Sequence, residues 1–228
     1  MDDIKYVILD FGKVLFKPTT GNWFITPKFL ELVDISKIDI KQFGEKKKQF
    51  NYLLSKKITN ETEEYEMFYE FYGSILKSLE YPDYSDSLAH AIADDFVNSS
   101  SKYTIYDGVL EELENLSKEY KLILLTDNWP CVLRILDEYD LTKYFEKVYV
   151  SSIYGSEKHD GVFFDYPIND FDIKENEALF IDDNNQLLEI AKTKGLKVKL
   201  MDRENNNPNV ENEVIHDLSS LLKGKNYR

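Results

Sequence analysis

Tyr6-Val7-Ile8-Leu9-Asp10-Phe11-Gly12 opens the chain with four apolar residues that end on an acid and a turn-forming glycine. A continuous apolar run of this length, closed by polar turn residues, reads as a strand buried on both faces. The same figure recurs further along. Leu122-Ile123-Leu124-Leu125 ends on Thr126-Asp127-Asn128, Val148-Tyr149-Val150 ends on Ser151-Ser152, and Ala178-Leu179-Phe180-Ile181 ends on Asp182-Asp183. Val198-Lys199-Leu200-Met201 is a fifth run.

Helical spacing fills the intervals. Leu110, Leu113, Leu116 and Tyr120 follow the Asp107-Gly108 turn; Val132, Leu133 and Leu136 follow Pro130; Leu187, Leu188, Ile190 and Ala191 precede a stop at Gly195. Strands alternating with helices predict an α/β, Rossmann-like three-layer sandwich with a parallel central sheet. Residues 18–100 break the alternation. Phe29, Leu30 and Val33, then Phe68, Tyr72, Ile75, Leu76 and Leu79, then Leu88, Ile92 and Phe96 sit at helical spacing with no buried strand among them. This stretch is expected to be an all-helical insertion after the first strand. The predicted division is a core of residues 1–17 and 101–228 and a helical domain of residues 18–100. The aromatic stripe of the insertion reads as its core.

Composition narrows the function classes. A 43% hydrophobic content over 228 residues supports a real core, and the net charge of −14 argues against a nucleic-acid binder. No apolar run is long enough to span a membrane, and the start, Met1-Asp2-Asp3-Ile4-Lys5, does not resemble a signal peptide. The single cysteine, Cys131, excludes an internal disulfide. These features lead us to expect a cytoplasmic protein with neither membrane nor nucleic-acid partner; monomer and dimer both stay open. Asn205-Asn206-Asn207-Pro208-Asn209 reads as a polar loop.

In an open parallel sheet, ligands bind at the carboxyl ends of the strands. Here those ends carry Asp10, Thr126, Ser151-Ser152 and Asp182-Asp183, with Lys158 close behind the third strand. Singly, each has a plainer explanation: Asp10 as a turn residue, the Asp182-Asp183 pair as a helix cap, Thr126 as a buried hydroxyl, Lys158 as a solvated lysine. Their order gives them weight together.

That order resembles the haloacid dehalogenase-like (HAD) hydrolase superfamily. The motifs are Val7 to Leu15 around Asp10, Leu124-Leu125-Thr126-Asp127-Asn128, Lys158 in Ser156-Glu157-Lys158-His159-Asp160, and Phe180-Ile181-Asp182-Asp183-Asn184. The resemblance runs from Ile4 to about Met201 and places the helical insertion where the family carries its C1 cap. It implies a Mg²⁺-dependent phosphatase acting on a small phosphorylated substrate, with sugar phosphates as the leading class, and with the cap closing over the substrate. Asp10 would be the nucleophile and form an aspartyl-phosphate. Asp10, Asp183, the Gly12 backbone carbonyl and Asp182, directly or through water, would hold the metal. Thr126, Asp127, Asn128 and Lys158 would bind the phosphoryl group.

The sequence departs from the family pattern at three positions. Gly12 stands where most family phosphatases carry a second, acid–base Asp, as in a DxG variant of the first motif. A water held by Asp182, or a cap residue, is the candidate replacement. Lys13 and His159 stand where a small residue and a proline are more usual; Lys13 either adds positive charge near the site or is a solvated lysine, the second being the plainer reading. His90 and His216 read as surface residues without a role. Two other functions stay open: a non-catalytic or very slow phosphate binder, and a metal-independent dehalogenase, against which the Asp182-Asp183 pair argues.

Overall fold

The computed structural model describes residues 3–205 and 213–222. Met1, Asp2 and all of the predicted Asn205–Asn209 loop except Asn205 lie outside the described residues. The strands are β1 (Tyr6–Leu9), β2 (Phe16–Pro18), β3 (Tyr103–Ile105), β4 (Lys121–Thr126), β5 (Phe145–Val150), β6 (Ala178–Asp182), β7 (Lys197–Met201) and β8 (Val214–Ile215). The helices are α1 (Pro27–Leu32), α2 (Ile40–Gln49), α3 (Glu61–Ser78), α4 (Asp86–Asn98), α5 (Val109–Leu116), α6 (Cys131–Glu138), α7 (Ser151–Tyr154), α8 (Asp165–Asp170) and α9 (Asn185–Thr193).

Six strands form one sheet in the order β5-β4-β1-β6-β7-β8, and every described pairing in it is parallel. This is the predicted Rossmann-like arrangement. β1 lies at the centre, with Leu9 level with Leu124 on one side and Ile181 on the other. Val7, Ile8 and Leu9 are wholly buried, as a strand covered on both faces requires. β2 and β3 pair separately as a two-stranded sheet.

The chain divides into two compact units. One comprises Met1–Lys17, Ile105–Asn128 and Val132–Arg228; the other comprises Pro18–Thr104 and Trp129–Cys131. The division read from the sequence differs at residues 101–104 and at Trp129–Cys131, a short piece that follows the second motif directly.

The second unit is helical. Thr26 caps α1, Asn60 caps α3 and Ser85 caps α4, each accepting a backbone N–H from the first turn. The long α3 buries Met67, Phe68, Phe71, Tyr72, Ile75 and Leu76. Phe68 lies 4.0 Å from the Phe96 ring and 5.0 Å from the Trp129 ring, centroid to centroid. Beside this aromatic core, Glu64 is fully buried and its Oε2 accepts the Cys131 N–H at 2.7 Å. Lys102 donates to the Phe96 carbonyl and lies 3.3 Å from Cys131 Sγ. Burial pushes the Cys131 thiol up to about 12, so it stays protonated and inert.

In the first unit the helical stripe of α5 sits differently from the sequence reading. Leu110 is exposed, and Glu112 is buried with Val109, Leu113 and Leu116. Arg203 explains this. Its Nη2 donates to Glu112 Oε2 at 2.7 Å, its Nε donates to the Val14 carbonyl at 2.9 Å, and it lies over the Tyr106 ring. One buried arginine thereby joins α5 to the loop after β1 and to the end of β7.

Candidate active site

The parallel register brings the predicted residues to one edge. Asp10 follows β1 directly and donates its backbone N–H to the Ile181 carbonyl at 3.0 Å, which sets it beside the end of β6. Thr126 closes β4 and Asp182 closes β6; both are buried. Ligand atoms of Asp10, Asp182 and Asp183 lie within 4.8 Å of one another. Lys158 stands in a short 3-10 turn and is 2% exposed, contrary to the expectation for an ordinary solvated lysine. Its Nζ lies 2.8 Å from Asp10 Oδ1 and 2.6 Å from Asp182 Oδ2.

Burial sets the protonation states here. It pushes the Asp10 carboxyl up to about 7, against the pull of Lys158 and with further upward pressure from Asp182. Burial acts to lower the Lys158 ammonium, but Asp10 and Asp182 prevail and hold it above the ordinary lysine range. Lys158 is therefore a fixed cation. Burial also raises Asp183, opposed by a hydrogen bond from Lys13.

The remaining predicted residues build the frame. Asp127 Oδ1 accepts the Lys158 backbone N–H at 3.0 Å, so in this structure its carboxylate seats the lysine turn. Asn128 donates its N–H to Ser151 Oγ at 3.1 Å, and its carbonyl accepts the Ser152 N–H at 3.3 Å. These bonds lock the second motif to the end of β5. Asp182 Oδ1 accepts the Asn184 N–H at 2.9 Å while its other oxygen meets Lys158, which fixes the carboxylate plane. Gly12 follows Asp10 in a tight turn in which it bridges to Phe16 and Lys13 N–H bonds the Phe16 carbonyl at 2.6 Å.

A family profile described as haloacid dehalogenase-like hydrolase matches residues 32–201, most of the chain. The chain belongs to the haloacid dehalogenase-like hydrolase family. No curated protein matches it in sequence. Among solved HAD structures it resembles YfnB from Bacillus subtilis bound to magnesium, at 18% identity, 96% coverage of both chains and a TM-score of 0.66. It also resembles L-2-haloacid dehalogenase from Xanthobacter autotrophicus with chloropropionic acid covalently bound, at 16% identity, 96% coverage of both chains and a TM-score of 0.68. A HAD family enzyme from Bacteroides thetaiotaomicron matches at 19% identity over 89% of this chain and 96% of its own, with a TM-score of 0.62. At such identities the likeness shows the HAD fold.

The sequence reading left two parts of the site incomplete. Lys13 is not simply solvated: its Nζ lies 3.0 Å from Asp183 Oδ2. Ser151 was singled out as a strand end, without its task of bonding Asn128. A lysine directly after the DxG turn was the available signal for the first. Nothing local signals the second, because its partner lies 23 residues away.

Proposed function

We propose that this HAD hydrolase is a Mg²⁺-dependent phosphatase of small phosphorylated metabolites, with sugar phosphates as the leading class. The observation that carries the reading is the carboxylate trio Asp10, Asp182 and Asp183, two members of which hold the buried Lys158 ammonium. Three carboxylates against two ammonium groups, Lys158 and Lys13, leave a net negative site that would repel a phosphate dianion. A hard divalent cation suits an all-oxygen donor set, with Asp10, Asp183 and the Gly12 carbonyl as its holders and Asp182 acting directly or through a water. When bound, Mg²⁺ supplies charge neutralisation and orientation of the phosphoryl group.

The chain's own groups then have distinct tasks. Asp10 attacks phosphorus in line, forms the aspartyl-phosphate and expels the alkoxide. Lys158, held in place by Asp182 and by the bond from its backbone to Asp127, offsets charge building on the transferring group. Thr126 donates its hydroxyl to a phosphoryl oxygen and the Asp127 backbone N–H completes the cradle, while Asn128, whose N–H is given to Ser151, holds this loop in place. Gly12 has no side chain to protonate the leaving group, a contribution typically worth ~10²–10⁴ in rate. Without that help an alkoxide leaves slowly, so sugar phosphates turn over slowly and esters of more acidic alcohols turn over faster. Across a series of aryl phosphates, log kcat/KM should fall steeply as the leaving-group pKa rises.

The decisive assay is a panel of phosphorylated metabolites with and without Mg²⁺. We expect turnover that needs the metal and falls at least ~10³-fold in Asp10→Asn. Turnover indistinguishable between wild type and Asp10→Asn sinks the proposal. A second reading, a metal-independent dehalogenase, is favoured by Gly12 and by the Lys13–Asp183 pair, which balances Asp183 without a metal. Halide release that survives a chelator would establish it instead.

A further inference from the structure

Lys13 is an odd residue for its place. Its backbone lies in the left-handed region, with φ of 56°, where glycine is at ease and a lysine carries a conformational cost. Its side chain is half-exposed, yet its ammonium is set against Asp183, the most accessible carboxylate of the trio. Beside this pair opens a cavity of about 250 Å³ whose lining includes Lys13, Tyr106, Asp183, Asp202, Arg203 and Glu204. Arg203 is held by Glu112 through two hydrogen bonds, and the Tyr106 hydroxyl bonds Glu204 on the cavity wall. Glu204 already acts electrostatically on the Lys13 ammonium.

We propose that Lys13 is a tethered cation that competes with the divalent metal for Asp183 and swings toward Glu204 in the neighbouring cavity when the metal binds. This rests on the metal site proposed above. A free divalent ion and a lysine ammonium cannot both approach the same carboxylate oxygen closely, because each repels the other. The lysine, being covalently attached, is always present at high local concentration. The device raises the metal concentration at which the site fills. It also keeps Asp183 neutralised when the site is metal-free. The acidic cavity lowers the cost of moving the ammonium aside.

Mg²⁺ binding to the full chain, measured by isothermal titration calorimetry, tests this without reference to activity. Lys13→Met removes the charge and keeps length; Lys13→Gly also relieves the left-handed backbone. Both should bind Mg²⁺ at least about threefold more tightly than wild type, the scale of a partly exposed ion pair. Glu204→Gln should weaken binding, and more so in wild type than in the Lys13→Met background. Melting temperatures confirm that each variant is folded. Equal Mg²⁺ affinity in wild type and both Lys13 variants overturns the competition. Equal effects of Glu204→Gln in the two backgrounds overturn the landing site. Absence of Mg²⁺ binding in wild type and in both Lys13 variants overturns the metal site itself, and this inference with it.

Discussion

A lysine with 2% exposure is stable only if its charge is compensated in place, and Lys158 has two carboxylates within 2.8 Å. The dependence is mutual, because Asp10 and Asp182 would repel each other across the edge of the sheet without it. Lys158→Met should destabilise the protein at pH 7 by about 3–5 kcal/mol, the usual penalty for removing one partner of a buried pair. Without the ammonium the folded state holds the Asp10 carboxyl further above its ordinary value near 3.8. That penalty sets in as pH rises past the unfolded value, and protonation lifts it. The stability gap to wild type, measured by urea denaturation, should therefore widen as pH rises above about 7, where Asp10 is ionised in wild type and still protonated in the variant. A gap independent of pH would show that lost packing, not charge, is responsible.

Glu64 on α3 shows how one helix carries more than its apolar stripe. Its Oε2 bonds the Cys131 backbone, its Oε1 has no hydrogen-bond partner among the described residues, and the side chain is wholly buried. Burial raises its carboxyl above the usual value near 4.5, and Lys102 only partly opposes this. For a carboxyl raised on folding, the unfolded chain releases its proton first, so stability falls as pH climbs from the unfolded value to the folded one. Glu64→Gln keeps an oxygen for the Cys131 N–H and removes that slope. Its melting temperature relative to wild type should rise steadily as pH increases from about 4.5; a constant difference would sink this assignment.

Elements with a strong period were legible in the sequence, and those without one were not. The α3 and α4 stripes and the buried β1, β4 and β6 runs announce themselves through their own residues. The helix α2 has one buried residue, Phe43, amid lysines, so it has no stripe to read. The first half of β5, Phe145-Glu146-Lys147, is half-buried or exposed at the sheet edge and does not look like a buried run. β8 is two residues long and exists through its pairing with β7. Leu110 fits the α5 period as well as its neighbours do; Arg203, 91 residues beyond Glu112, makes Glu112 the buried member instead.

Over the whole molecule, 42 acidic side chains face 28 basic ones. Such an excess repels itself in the compact state and opposes anionic substrates at a distance. Raising NaCl from ~10 to ~150 mM shortens the reach of those fields to about 8 Å. The melting temperature should rise over that range, while the Lys158 cluster, being buried, is little screened. A flat or falling melting temperature would show that the charges are already balanced locally. Among the described residues, no helix is long and apolar enough to cross a membrane.

Apolar period and strand-closing acids are written in consecutive residues, so the α/β class, the place of the helical insertion and the identity of Asp10, Thr126, Lys158, Asp182 and Asp183 could be read from the chain alone. Which groups then touch is a matter of packing between segments far apart in the chain. Lys13 on Asp183, Asp127 beneath the Lys158 turn, Ser151 holding Asn128, and Arg203 between Glu112 and Val14 all arise because parallel strands bring distant loops to one edge. A carboxylate's task depends on which cation or N–H lies within about 3 Å of it, and that distance belongs to the folded molecule.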